Sequence, residues 1–172
     1  MRFDKKVVLW MICIAVVLLL LSQFVLNSSF FLEHRVRLAK ESLSELVMND
    51  EIGLHELAAA IHDEAEKSGT DLSYDKYRNN LPGDLLTQLQ AFLERCPAEI
   101  DEVYVGGQTV NVYPEGACVF RRTIENSNRI YAWVDLIYVP IATQQNENWH
   151  KDYFEDSTRL TPEWYIAVLY GF

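Results

Sequence analysis

His55 and His62 stand beside Glu56, Asp63 and Glu64 in a single stretch, "LHELAAAIHDEAEK". Imidazoles among carboxylates can move protons or hold a divalent metal. Seven residues apart, the two rings sit about 10.5 Å from each other on a straight helix. One ion held about 2 Å from each nitrogen cannot reach both. The spacing also departs from the zincin pattern, in which the histidines stand four apart with a glutamate between. The reading is therefore solvated or interface histidines, with no metal and no cofactor.

A second group lies near the C-terminus, where "WHKDYFEDSTR" gathers Trp149, His150, Tyr153 and Phe154 among Asp152, Glu155 and Asp156. The acids lack the glycine-centred alternation of a calcium loop. The four rings are candidate contacts for a partner or ligand, since Trp and Tyr are favoured interface anchors. The alternative is a loop that folds back so that its aromatics finish the core. No G-x-S-x-G and no phosphate-cradling glycine loop is present, and the "VGGQTV" stretch is a hairpin turn with no helix after it. Asp135 is the carboxylate expected to be buried, with Arg121, Arg122 or Arg129 as its ion-pair partner. No nucleophile–base set can be named, so the expectation is a protein that is not an enzyme.

Cysteine usage points the same way. Cys13 lies in an apolar run and packs as a small hydrophobe. Cys96 and Cys118 form an even pair in the rest of the chain. A disulfide between them would close a loop of about 20 residues and contribute roughly 3 kcal/mol. An oxidising compartment would permit it, and two buried free thiols are the alternative. A zinc site lacks paired ligand spacing.

The elements that must position these residues begin with "VVLWMICIAVVLLLLSQFVL" at 7–26, after a short basic opening at 1–6. Twenty positions, apolar but for Ser22 and Gln23, at about 1.5 Å each span roughly 30 Å, the thickness of a bilayer's hydrocarbon core. The run exceeds the apolar core of a secretory signal, and no A-x-A cleavage site follows. It is expected to be an uncleaved signal anchor, with a cleaved leader as the rival. Arg2, Lys5 and Lys6 flank one side closely; Arg35, Arg37 and Lys40 flank the other at greater distance. The nearer cluster puts the N-terminus in the cytoplasm and the bulk of the chain outside.

A stalk helix is expected at 27–49, where Leu32, Val36, Ala39, Leu43 and Leu46 make one apolar stripe. The stripe either packs on the protein's own domain or forms a seam with a partner or a second copy. In the region 50–172, Asn49 or Asp50 is placed to cap a second helix that ends at Gly69. Pro82 opens a third, and Pro97 stops it. From residue 100 the period becomes two. Strand, Gly106-Gly107 turn and strand are followed by "ACVFRRTI", the long "RIYAWVDLIYV" and a final "EWYIAVLYGF". Such a chain is α+β: an anchor and stalk helix, two further helices, then an antiparallel sheet of about five strands. The twenty-residue polar segment before the last strand reads as a functional loop.

The chain has 15 basic and 25 acidic side chains and a formal charge of −10. Setting aside Arg2, Lys5, Lys6 and Asp4, the remainder keeps 12 basic against 24 acidic groups, about −12. That surface repels nucleic-acid phosphates, so nucleic-acid binding is excluded.

In outline, a stalk helix leading into an antiparallel sheet looks like the extracytoplasmic sensor domains of bacterial membrane receptors. A long apolar N-terminal helix before a sheet and a disulfide also resembles pilins. The chain departs from pilins at the boundary of the apolar run, where Lys5, Lys6 and Val7 stand in place of their processing site. The function expected is a single-pass inner-membrane protein whose periplasmic or extracellular domain senses or binds a partner in an envelope complex. A structural subunit of a secretion or pilus-type assembly is the alternative, and an envelope enzyme the second.

Overall fold

Side chains alternate across a strand, so β-rows in this chain sort into two faces, and helices must cover whichever face is apolar. The computed structural model describes residues 5–26, 29–49, 53–75, 77–105, 113–114, 116–126, 129–141, 149–154 and 156–171. The elements run α1 (Lys5–Leu26), α2 (Ser29–Asn49), α3 (Leu54–Ser68), β1 (Leu72–Tyr74), α4 (Gly83–Arg95) and β2 (Glu102–Val105). They continue with β3 (Cys118–Asn126), β4 (Arg129–Tyr138), α5 (Trp149–Tyr153), β5 (Asp156–Arg159) and β6 (Trp164–Tyr170). The six strands form one antiparallel sheet in the order β1-β2-β3-β4-β6-β5. The α+β class is as expected.

Register explains the layers. Val103, Phe120, Leu136 and Ile166 lie opposite one another across four strands, and all belong to the larger core, on the face that α2, α3 and α4 cover. One residue along, Tyr104, Val119, Ile137 and Tyr165 form the neighbouring row, which must face the other way. They belong to a smaller core with Tyr113, Trp149 and Phe154. β4 sits between β3 and β6 and is covered on both sides, which is why its sequence is apolar at nearly every position.

The α2 stripe is satisfied within the chain. Leu32, Val36, Ala39, Leu43 and Leu46 are all buried, and α2 packs against β3, β4 and β6. Lys40 forms an ion pair with Asp156, which fastens α2 to the edge strand β5. α1 ends at Leu26 and α2 begins at Ser29; residues 27 and 28, where the expected continuation from anchor to stalk would run, lie outside the described residues. α3 buries the face expected of it, and Gly69 closes it in the left-handed region at φ 62°, its N–H donating to the Ala65 carbonyl at 2.9 Å. Its start differs from expectation. Gly53, at φ 74°, precedes the first turn, and no side chain caps it; Asp50 lies outside the described residues.

Other expectations need correction. The polar segment before the last strand is not a plain loop, because it holds α5 and β5. Ser157 and Thr158 pair with Ala167 and Ile166, backbone groups that β6 would otherwise leave open. β1, a three-residue strand, protects the far edge of β2. The Gly106-Gly107 hairpin and its second strand fall outside the described residues. Cys13, Cys96 and Cys118 are free thiols, so the expected bridge between Cys96 and Cys118 is not formed. Both pack as small apolar groups in the larger core.

Among the described residues, no helix is long and apolar enough to cross a membrane. α1 comes nearest. Its described side chains, residues 8–23, carry no charge, and all are exposed.

Candidate functional site

Three places in the molecule gather polar or aromatic chemistry. The first is a charged row on the smaller-core face of the sheet, where Glu102, Arg121 and Asp135 are register partners on β2, β3 and β4. Asp135 is fully buried. Arg121 donates to it from Nε at 2.7 Å and from Nη2 at 2.8 Å, and the Tyr113 hydroxyl donates to its second oxygen. The Arg121 guanidinium lies between the rings of Tyr104 and Trp133, 5.1 Å and 5.5 Å from their centres. Period-two alternation selects Arg121 over Arg122, which points to the helix side and pairs with Glu99.

Electrostatics follow from this burial. Desolvation pushes the Tyr113 hydroxyl far above its ordinary value, and the Asp135 charge beside it pushes the same way. Tyr104 is raised chiefly by burial as well. For Arg121, burial opposes the charged form, but hydrogen bonds and attraction to Asp135 outweigh it and leave the guanidinium more firmly protonated. Glu102 is raised by burial, against the pull of Arg121. Arg121 and Tyr113 both bond Asp135, so the row acts as a clamp across three strands.

The second place is the aromatic segment 149–154. Trp149, His150 and Phe154 are buried, so the alternative of core completion describes them, not an exposed contact surface. Trp149 meets Tyr165 edge-on at 5.1 Å, and Phe154 lies 5.6 Å from Tyr113. His150 Nδ1 is 2.9 Å from the Ser157 hydroxyl, and its ring lies 5.0 Å from Tyr165. The Tyr153 side chain lies outside the described ones. Among the described residues, no hydrogen-bond partner meets the buried Trp149 Nε1.

The third is a cleft of about 310 Å³ beside α2, lined by Arg35, Leu38, Ser42, Pro97, Glu99 and Arg122 among others. Arg35 donates to the Glu125 carbonyl at 2.9 Å, and Arg122 pairs with Glu99. Its lining mixes apolar side chains, Leu38, Ala39, Pro97, Ala98 and Ile124, with both charges. Sequence reasoning missed this cleft. Its walls come from α2, the segment after α4 and β3, which no local pattern brings together.

His55 and His62 also separate in their surroundings. His55 is partly exposed, packs edge-on against Tyr138 at 5.3 Å and lies 3.9 Å from Glu163. His62 is buried, and its Nδ1 lies 2.7 Å from the Gly116 carbonyl.

The fold and its sites thus define an α+β domain with one six-stranded antiparallel sheet, a helix-covered face and an aromatic-covered face. No family model matches the chain, and neither a curated protein nor a solved structure does.

Proposed function

We propose that the chain is a single-pass protein of the bacterial inner membrane, its N-terminus cytoplasmic. In this reading the α+β domain lies outside and serves as a partner-binding or sensory module of an envelope complex, without enzymatic activity. The observation that carries the reading is the exposure of α1. Leu9, Trp10 and Leu19 are 62%, 70% and 64% exposed, and the side chains between them are exposed as well. Leaving a leucine-sized side chain in water instead of burying it forgoes about 1.5–3 kcal/mol. Over a dozen such residues, that exceeds the whole stability of a typical domain, about 5–15 kcal/mol. α1 therefore calls for an apolar medium. The uncharged stretch 8–23 is about 24 Å long, so a span would draw on the flanking residues to match a hydrocarbon core of roughly 30 Å.

The binding role rests on what the domain leaves open. Its two cores are closed by its own helices and aromatics, whereas the cleft beside α2 offers both charges at its rim. Expression of the full chain with a C-terminal tag tests the placement. The protein should stay in membranes washed with alkaline carbonate, and protease added to spheroplasts should remove the tag. Release by carbonate, or a tag cut only after lysis, would overturn it.

A further inference from the structure

The pair His55 and His62 cannot share an ion, but His62 has other neighbours. One ligand atom from each of His62, Asp63 and Glu66 lies within 4.8 Å of the others, and His62 Nε2 is 3.9 Å from Glu66 Oε2. His and Glu stand four residues apart, on one face of α3. The imidazole itself is held in one orientation. A carbonyl only accepts, so the 2.7 Å contact with Gly116 places the ring proton on Nδ1. Nε2 is the nitrogen left facing Glu66, and among the described residues no hydrogen bond reaches it. The ring is 6% exposed and fixed in place, while both acids are exposed to solvent.

Gly116 is part of this arrangement. Its φ is +75°, and a Cβ there would stand 2.9 Å from His62 Cε1. Only glycine lets the turn come close enough to hold the ring. A backbone carbonyl on the far nitrogen is the support that metal-binding histidines usually have.

We propose that His62, Asp63 and Glu66 form a binding site for a divalent transition metal, with zinc the ion that fits best. An imidazole nitrogen favours zinc over calcium or magnesium, which take oxygen ligands. Two carboxylates offset the ion's charge. Three protein ligands leave a fourth tetrahedral position for water. Ligands about 2 Å from a tetrahedral zinc stand roughly 3.3 Å apart, so the exposed carboxylates need move inward by at most about 1.5 Å. The nearest lysine on the helix, Lys67, pairs with Glu64 at 3.6 Å and not with either proposed acid. The site rests on α3 and the Gly116 turn, and it stands whether or not α1 lies in lipid.

Isothermal titration of the full chain in detergent micelles with zinc chloride tests it. One zinc should bind per chain. Glu66 is exposed, so Glu66→Gln leaves the fold intact and should weaken zinc by about tenfold or more. Glu64→Gln, on the same helix outside the site, should leave the affinity unchanged. Calcium chloride should bind far more weakly than zinc. Absence of stoichiometric zinc binding, an equal loss in both variants, or calcium binding as tightly as zinc would each overturn the proposal.

Discussion

Asp135 shows what a buried charge demands of its neighbours. With two bonds from Arg121 and one from Tyr113, its carboxylate is satisfied. Removing one partner of a buried pair strands the other, at a cost of about 3–5 kcal/mol. Asp135→Ala should therefore destabilise the domain by that amount in urea titrations. Tyr113→Phe removes one hydrogen bond to a charged group and should cost about 1.5–3 kcal/mol. An Asp135→Ala loss no greater than that of Tyr113→Phe would count against the clamp. The thiols differ in the same way. The thiolate is the reactive form, and burial pushes Cys118 well above its ordinary value, Cys96 less deeply buried. Maleimide should label Cys96 in the folded protein and reach Cys118 only after denaturation, with or without reductant.

At the scale of elements, α2 is the decisive one, because its stripe had two possible destinations. Packed on the sheet, Leu43 is fully buried, whereas Leu38 is 49% exposed at the cleft. Leu43→Ala should cost about 2–5 kcal/mol, and Leu38→Ala no more than about 0.5 kcal/mol, as for surface positions generally. If the stripe were a seam between two chains, the loss from Leu43→Ala would depend on protein concentration. Urea midpoints measured over a wide range of concentrations check this, and they should not move. The α2–β5 link through Lys40 and Asp156 is partly exposed, so Lys40→Ala should cost under about 1 kcal/mol.

For the whole molecule, the tyrosines of the smaller core and Cys118 of the larger one set the response to alkaline pH. Tyr113 and Tyr104 are raised from 10.0, and Cys118 from 9.0. Unfolded, these groups lose their protons near their ordinary values, while the folded protein keeps them. Stability from these groups is thus fully present below about pH 9 and falls above it. The slope approaches about 1.4 kcal/mol per pH unit for each such group. Urea midpoints should be flat with respect to these groups from pH 7 to about 9 and decline beyond 10. A midpoint that held steady to pH 11 would show that the two tyrosines are not buried as described.

The larger core was legible in the sequence, and the smaller one was not. Leu54, Leu57, Ala58, Ile61 and Ala65 recur at helical spacing, and each is buried where that spacing puts it. The unbroken apolar run of β4 likewise marked a central strand. These features depend on neighbours within a few residues, and local periodicity carries that information. Four matters needed the tertiary structure. They are the choice of Arg121 over Arg122 for Asp135, the burial of Trp149, His150 and Phe154, the cleft beside α2 and the grip of Gly116 on His62. Each joins residues distant in the chain, from 14 positions for Arg121 and Asp135 to 90 for Arg35 and Glu125 at the cleft. Their meeting is fixed by strand register and by which face of the sheet a segment crosses. A shift of one residue would reverse every such contact, and no pattern within either segment records that shift.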